Sequence, residues 1–188
     1  MQHYDEVKRL VTAMSLLHEQ RDHHGSRVAE LARKLAIATG LPEAQADLVE
    51  VGAHLHDLGK LSIERELLTA PRRLTREERR RMQMHTTLGW AMVEQAGFDT
   101  VICEIVRHHH ERYDGNGYPD RLKFQQIPIG ARIVGICDTY EAMTSPRSYR
   151  EAFSHAFVMA YMQKDKGKAF DGRLVDLFFQ QVIPLKTA

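Results

Sequence analysis

Cysteine is nearly absent, with only Cys103 and Cys137 among 188 residues. Two thiols make no disulfide framework, and both lie in apolar helical patterns, where a reduced, buried thiol is the ordinary reading. Cys137 precedes Asp138, which keeps a direct metal role as the lesser alternative. Also missing are an apolar run of about 18 residues and a basic–apolar–small leader, so no membrane insertion is expected and a cytoplasmic location is the default. Net charge is scarce too, at +1. No global field therefore favours a nucleic-acid polymer or a membrane surface, and an anionic ligand must be held by local positive groups. Alternating strand patterns, internal repeats and low-complexity tracts are all lacking.

Helical periodicity fills the space those absences leave. Residues 4–20 put Val7, Leu10, Val11, Met14 and Leu17 on one face, at spacings of three and four. A second helix over 24–39 carries Val28, Leu31, Ala32, Leu35 and Ile37 and stops at Gly40. Pro42 opens a third, with Leu48, Val51, Leu55 and Leu58, closed by Gly59. Thr75 and Glu78 read as a capping box for one long helix to about Gln95. Asp99 caps a helix through His110. Pro128 starts another, to about Thr144, with Ile129, Ile133, Ile136 and Tyr140 toward the core, and segments 154–163 and 173–182 complete the chain. The fold class is all-α, a compact helical bundle. At 43% hydrophobic residues it has material for one core, with residues 1–22 as a separate N-terminal helix and 23–188 as the functional domain. The basic run at 72–81 is interleaved with glutamates and reads as a solvated helix face.

The histidines do not fit a bland bundle. Eleven occur, concentrated in HLHDLGK at 54–60 and HHHERYDGNGYP at 108–119. Seven polar side chains sit in apolar surroundings on five predicted helices: His24, His56, Asp57, His85, His109, His110 and Asp138. A lone histidine of this kind is more often a satisfied core residue. Seven uncompensated buried titratable groups would cost several kcal/mol each, comparable to the stability of a whole domain. Cations at their centre remove that cost, because imidazole and carboxylate both gain a partner.

HLHDLGK, His85, HHERYDGNGYP and RIVGICDTYEAMTSPRSYR resemble the HD-GYP domain, a branch of the HD phosphohydrolase superfamily, over about residues 20–180. The resemblance implies a metal-dependent phosphodiesterase that hydrolyses cyclic di-GMP to linear pGpG, and on to GMP in some members. It makes the seven side chains metal ligands, with Asp57 bridging. Gln20 stands where a third-metal glutamate belongs, which implies two divalent ions rather than three, iron or manganese foremost and nickel or zinc as alternatives. Two such ions leave a net positive site, and a hydroxide bridging metals roughly 3.5–4 Å apart is the nucleophile for in-line attack.

The same resemblance places Lys60 on the scissile phosphate, Tyr118 in the substrate pocket, and Arg147 and Arg150 on guanine or the second phosphate. Each has a plainer alternative: a snorkelling lysine, a loop-packing or partner-presenting tyrosine, a solvated turn. Asp114 is a candidate brace for the loop, in which Gly115 and Gly117 allow positive backbone angles. His54 and His108 fall out of register and are left outside the site. The chain departs from the family pattern at Arg121 and Phe124 (two glycines), Glu64 (a proline), Glu141 (an aspartate) and FDG at 170–172, and Glu141 is kept as an uncertain candidate behind the ligands. Rival readings are a hydrolase of another cyclic nucleotide and a binding module that senses the dinucleotide or docks on a diguanylate cyclase through the GYP loop. The N-terminal helix is a candidate for homodimer contact or for connection to an upstream domain.

Overall fold

The computed structural model describes residues 24–146 and 151–183, so the predicted helix at 4–20, Gln20, Arg147 and Arg150 lie outside the described residues. The described chain is a helical bundle: α1 His24–Ala38, α2 Glu43–Leu55, a 3-10 turn Leu58–Ser62, α3 Arg65–Leu68, α4 Arg76–Gln83, α5 His85–Gln95, α6 Thr100–His108, a 3-10 turn Phe124–Gln126, α7 Ile129–Thr144, α8 His155–Lys164, α9 Gly172–Leu177 and a wider π-type turn Phe178–Val182. Among the described residues no strand forms; Lys166 and Phe170 make one isolated bridge.

The 3.6-residue period lays one apolar face of each helix inward. Val28, Leu35, Val49, Ile105, Ile133 and Phe178 build one core from α1, α2, α6, α7 and the final turn. Leu55, Leu58, Val93, Phe98, Ile102 and Cys103 build a second around α5 and the first 3-10 turn. Helices α2 and α6 serve both. Two positions expected inward face out: Ile37 is 47% exposed and Ile129 37%. Ile37 lies about 200° around α1 from Leu35, so Ala36 takes the inward place beside it.

Several boundaries differ from expectation. The long helix predicted from Thr75 is two helices, broken at Met84. The side chains of His85, Thr86 and Thr87 bond the carbonyls of Met82, Gln83 and Met84, which diverts that stretch from regular helix. His85 therefore opens a helix rather than lying midway along one. The predicted caps hold: Thr75 and Glu78 form the capping box, and Asp99 Oδ1 accepts from Val101 N–H at 2.8 Å. Helices α2 and α6 end at Leu55 and His108, so His56, Asp57, His109 and His110 occupy the turns beyond. Gly59 does not close a helix. A Cβ there would fall 1.9 Å from the His85 carbonyl oxygen and 2.5 Å from Gly89 N, so glycine is what lets α5 press against the turn carrying Asp57.

The loop after α6 has a similar story. Gly115 takes φ +79° as expected, but Gly117 is needed for closeness, since a Cβ would lie 2.3 Å from Arg112 N. Arg121 and Phe124, the two positions that resemble family glycines, have φ of 56° and 52°. The left-handed region costs a side-chain-bearing residue about 1–2 kcal/mol. Arg121 is exposed, and its backbone N–H bonds the Glu111 carboxylate, a contact that glycine keeps. Arg121→Gly is expected to stabilise the domain by about 0.5–1 kcal/mol after the entropy of glycine is charged, raising Tm by roughly 1–4 °C. A calorimetric midpoint equal to or below that of the parent would refute this.

Candidate metal centre

Three imidazoles are tethered alike. The Nδ1–H of His56 donates to the Ala53 carbonyl at 2.6 Å, that of His85 to Met82 at 2.7 Å, and that of His109 to Val106 at 2.9 Å. Each acceptor lies in the last turn of a helix, where carbonyls lack an intrahelical partner. A proton committed to Nδ1 leaves Nε2 as a bare lone pair. These lone pairs converge. His85 Nε2 lies 3.4 Å from His109 Nε2 and 3.5 Å from Asp57 Oδ1. His56 Nε2 is buried, with no hydrogen-bond partner among the described residues. Acceptors facing acceptors in a dry interior repel unless something positive lies between them.

A divalent cation fits that need. Two groups form in which all donor atoms lie within 4.8 Å of one another, one of Asp57, His85, His109 and His110 and one of His24, His56 and Asp57. Asp57 belongs to both. Asp138 joins the second group, its Oδ1 3.2 Å from His24 Nε2 and 4.0 Å from His56 Nε2. The seven predicted side chains thus come together from α1, the turn after α2, α5, the turn after α6 and α7.

Protonation suits ligation for most of them. Burial, reinforced by neighbouring imidazoles, holds His109 far below its ordinary range and His110 down at about 3. Asp57 is buried, which opposes its charge, but Lys60 and His56 outweigh that and keep it well below the usual carboxylate range. Asp138 is likewise depressed against its burial, by His24, His56 and His110. His56 and His24 are the exceptions: burial disfavours the charge of both, yet Asp57 and Asp138 raise His56, and Asp138 and Glu141 raise His24 to about 9. The His24 proton occupies the place of a cation between carboxylates. The Cys137 thiol is fully buried and pushed up by that burial, which leaves it a core residue.

The surrounding groups are held as firmly. Lys60 Nζ lies 2.5 Å from Asp57 Oδ2. The Tyr118 ring sits 4.9 Å from His110 and 6.5 Å from His85, and burial beside Asp57 and Asp138 keeps its phenol protonated. Its loop is pinned at both ends. At the entrance, Tyr113 and Asp114 N–H bond the Ala169 and Lys168 carbonyls, while Asp114 takes the Arg112 guanidinium at 2.8 Å and Asn116 N–H at 3.0 Å. At the exit, the Asp120 carboxylate accepts from Arg107 at 2.7 Å and His108 Nε2 at 2.8 Å, and Asp120 N–H donates to Glu111. His108, set aside on register, is 6% exposed and is the buried end of that clamp. Its partner twelve residues away is a tertiary contact, with no short-range pattern to announce it.

Comparison with known proteins places this geometry. A family model described as HD domain matches residues 9–174. The chain is 39% identical over 152 residues to the cyclic di-GMP phosphodiesterase response regulator RpfG of Xanthomonas campestris, covering 80% of this chain and 40% of that protein. It is 33% identical over 176 residues to 3'3'-cGAMP-specific phosphodiesterase 2 of Vibrio cholerae, covering 93% of this chain and 34% of that one. The chain therefore spans well under half the length of either. Its fold is similar to the crystal structure of a V. cholerae cyclic GMP-AMP phosphodiesterase, V-cGAP3, with TM-score 0.69, 17% identity, and coverage of 91% of this chain and 46% of the other.

Bound cations would stabilise the native state through the linkage of binding to folding. Manganese at about a hundred times its dissociation constant contributes about 2.7 kcal/mol per site. Metal-stripped protein is thus expected to gain roughly 5–10 °C in Tm for each site that manganese fills. An unchanged midpoint with manganese, ferrous iron, nickel and zinc alike would remove the centre.

Proposed function

We propose that this chain, which belongs to the HD domain family and to its HD-GYP branch, hydrolyses a cyclic dinucleotide, cyclic di-GMP foremost, at a centre of two divalent cations. The observation that carries the proposal is the sharing of Asp57 between the two donor groups, since a carboxylate with one oxygen toward each is what a dinuclear site requires. His24, His56 and Asp138 serve one cation, His85, His109 and His110 the other. Imidazole with carboxylate suits iron or manganese, with nickel or zinc as alternatives. Cations bound there supply an activated water at neutral pH and neutralise charge on the phosphoryl oxygens.

The chain's own groups do the rest. The three carbonyl tethers hold the Nε2 atoms around the shared Asp57 carboxylate before substrate arrives, so little reorganisation is needed at reaction. Lys60, already on Asp57, offers its remaining ammonium donors to a phosphate. Tyr118 keeps its O–H as a donor beside His110. Arg147 and Arg150 are the proposed contacts for guanine or the second phosphate. The product is linear pGpG, with GMP after a second cleavage. Two buried free thiols, Cys103 and Cys137, accord with a reducing cytoplasm, and among the described residues no helix is long and apolar enough to cross a membrane.

A second reading has a specific warrant. The similarity to an enzyme named for 3'3'-cGAMP nearly equals that to one named for cyclic di-GMP. In this reading the metal centre is unchanged and only the base contacts differ. A binding module that docks a diguanylate cyclase through the GYP loop, or pairs as a homodimer, is the third. Anaerobically purified protein loaded with iron or manganese is expected to convert cyclic di-GMP to pGpG by chromatography, and His109→Ala to lose both metal and turnover. Faster cleavage of 3'3'-cGAMP in competition would reassign the substrate, while binding without cleavage under every divalent ion would leave the sensor.

The loop clamp generates its own expectation. Asp120→Ala frees the exit of the GYP loop and leaves the metal ligands untouched. KM is expected to rise roughly tenfold, about 1.4 kcal/mol of lost ordering, with kcat within a factor of about two. A fall in kcat at constant KM would mean that the clamp serves the cations rather than the substrate pocket.

A further inference from the structure

His24 differs from the tethered imidazoles in what holds it. His56, His85 and His109 each use a carbonyl three residues back, whereas the Nδ1 of His24 meets the carboxylate of Glu141, 117 positions away. Glu141 is 3% exposed. Its Oε1 accepts from Arg27 Nε and from the Ser145 hydroxyl, each at 2.7 Å, while Oε2 faces His24. Arg27 stands three residues after His24 on α1, and Ser145 four residues after Glu141 at the end of α7. The carboxylate is therefore held from both helices it joins.

Asp138 and Glu141 are three apart on α7, which puts them on one face. That single turn grips both ring nitrogens of His24, Asp138 Oδ1 at Nε2 (3.2 Å) and Glu141 at Nδ1. We propose that Glu141 is a positioning residue for the cation shared by His24, His56 and Asp57: by accepting the Nδ1 proton it turns the His24 lone pair inward. This role rests on the dinuclear reading above. A carboxylate in this place also does what a carbonyl does not: its full charge, buried, makes the imidazole a stronger donor toward a cation. The two cation positions then differ in kind: the tethered rings of the first, His85 and His109, use carbonyls three residues back, whereas the second, besides the tethered His56, depends on a carboxylate from a distant helix.

Stepwise manganese titration of metal-stripped protein by calorimetry tests this without any turnover. His24→Ala identifies which of the two binding events belongs to its cation. Glu141→Ala is expected to weaken that event 10–100-fold and leave the other within about twofold, in protein whose circular dichroism matches the parent. Should Glu141→Ala not fold, Glu141→Gln keeps the shape, removes the charge and is expected to weaken the same event about tenfold. Unchanged affinity at both positions in a folded variant overturns the role, and so does equal weakening of both, which would mark general damage. Parent protein that binds no divalent cation would overturn the centre itself, so the two failures are told apart.

Discussion

Three imidazole lone pairs held around one carboxylate, that of Asp57, are the constraint around which the bundle is arranged. An imidazole fixes its tautomer only if something takes the proton from its other nitrogen, and here the acceptors are carbonyls at helix ends. Each ligand must therefore sit just past the end of a helix, and the helices must stop where they do. Helix α2 ends at Leu55, α4 at Gln83 and α6 at His108, each within a few residues of a tethered ring. The orphan carbonyls that any helix end carries become the means of aiming a ligand. The price is a group of acceptors that repel one another until a cation joins them.

Bringing five segments within ligand distance also dictates small residues at particular places. Gly59 and Gly89 allow two backbones to approach so that His85 reaches Asp57. Gly52 and Gly130 both receive the Ile105 side chain, letting α6 settle against α2 and α7, which places the His109–His110 turn. These glycines act through the absence of a Cβ rather than through backbone freedom. The reverse holds at Arg121 and Phe124, where the backbone takes a conformation that glycine favours and the side chains tolerate it at a cost. Phe124 offsets part of that cost against the Tyr113 ring, 5.2 Å away. Exposed Arg121 has no such ring contact among the described residues.

The bundle and the gathering of seven candidate ligands were legible because each is a departure from a simple pattern. Apolar periodicity marked the helices, and polar residues inside it marked the seven candidates, since burial without a partner is too costly to be accidental. Where reading failed, the deciding contact was either short-range and hidden by continuing periodicity or long-range and patternless. The break at Met84 belongs to the first kind: the apolar spacing runs on through it, while three consecutive side chains quietly take the carbonyls. The paired β-branched threonines after His85 were the available hint. Glu141 and His108 belong to the second kind, with partners 117 and 12 residues away. Glu141 was read as a departure from aspartate and an uncertain candidate just outside the ligands, with no partner named, and His108 was excluded by register, which decides ligation but says nothing about a clamp.

Charge is distributed unevenly around the centre, and that asymmetry bears on which side an anionic substrate would meet. Asp138 and Glu141 both crowd His24, so the edge formed by α1 and the end of α7 is rich in carboxylate. The His85–His109–His110 edge has only the shared Asp57, with Lys60 against it and the neutral Tyr118 phenol beyond. On the proposed reading, the charge of two divalent cations would be offset mainly on the carboxylate-rich edge, even with Arg27 against Glu141. The remaining positive potential would then face His110, Lys60 and Tyr118. A phosphodiester would be drawn to that edge, where the loop clamped by Asp114 and Asp120 holds its tyrosine in position. The clamp thus lies on the electrostatically open side, which is why loosening it is expected to act on substrate capture and the Glu141 contact on cation retention.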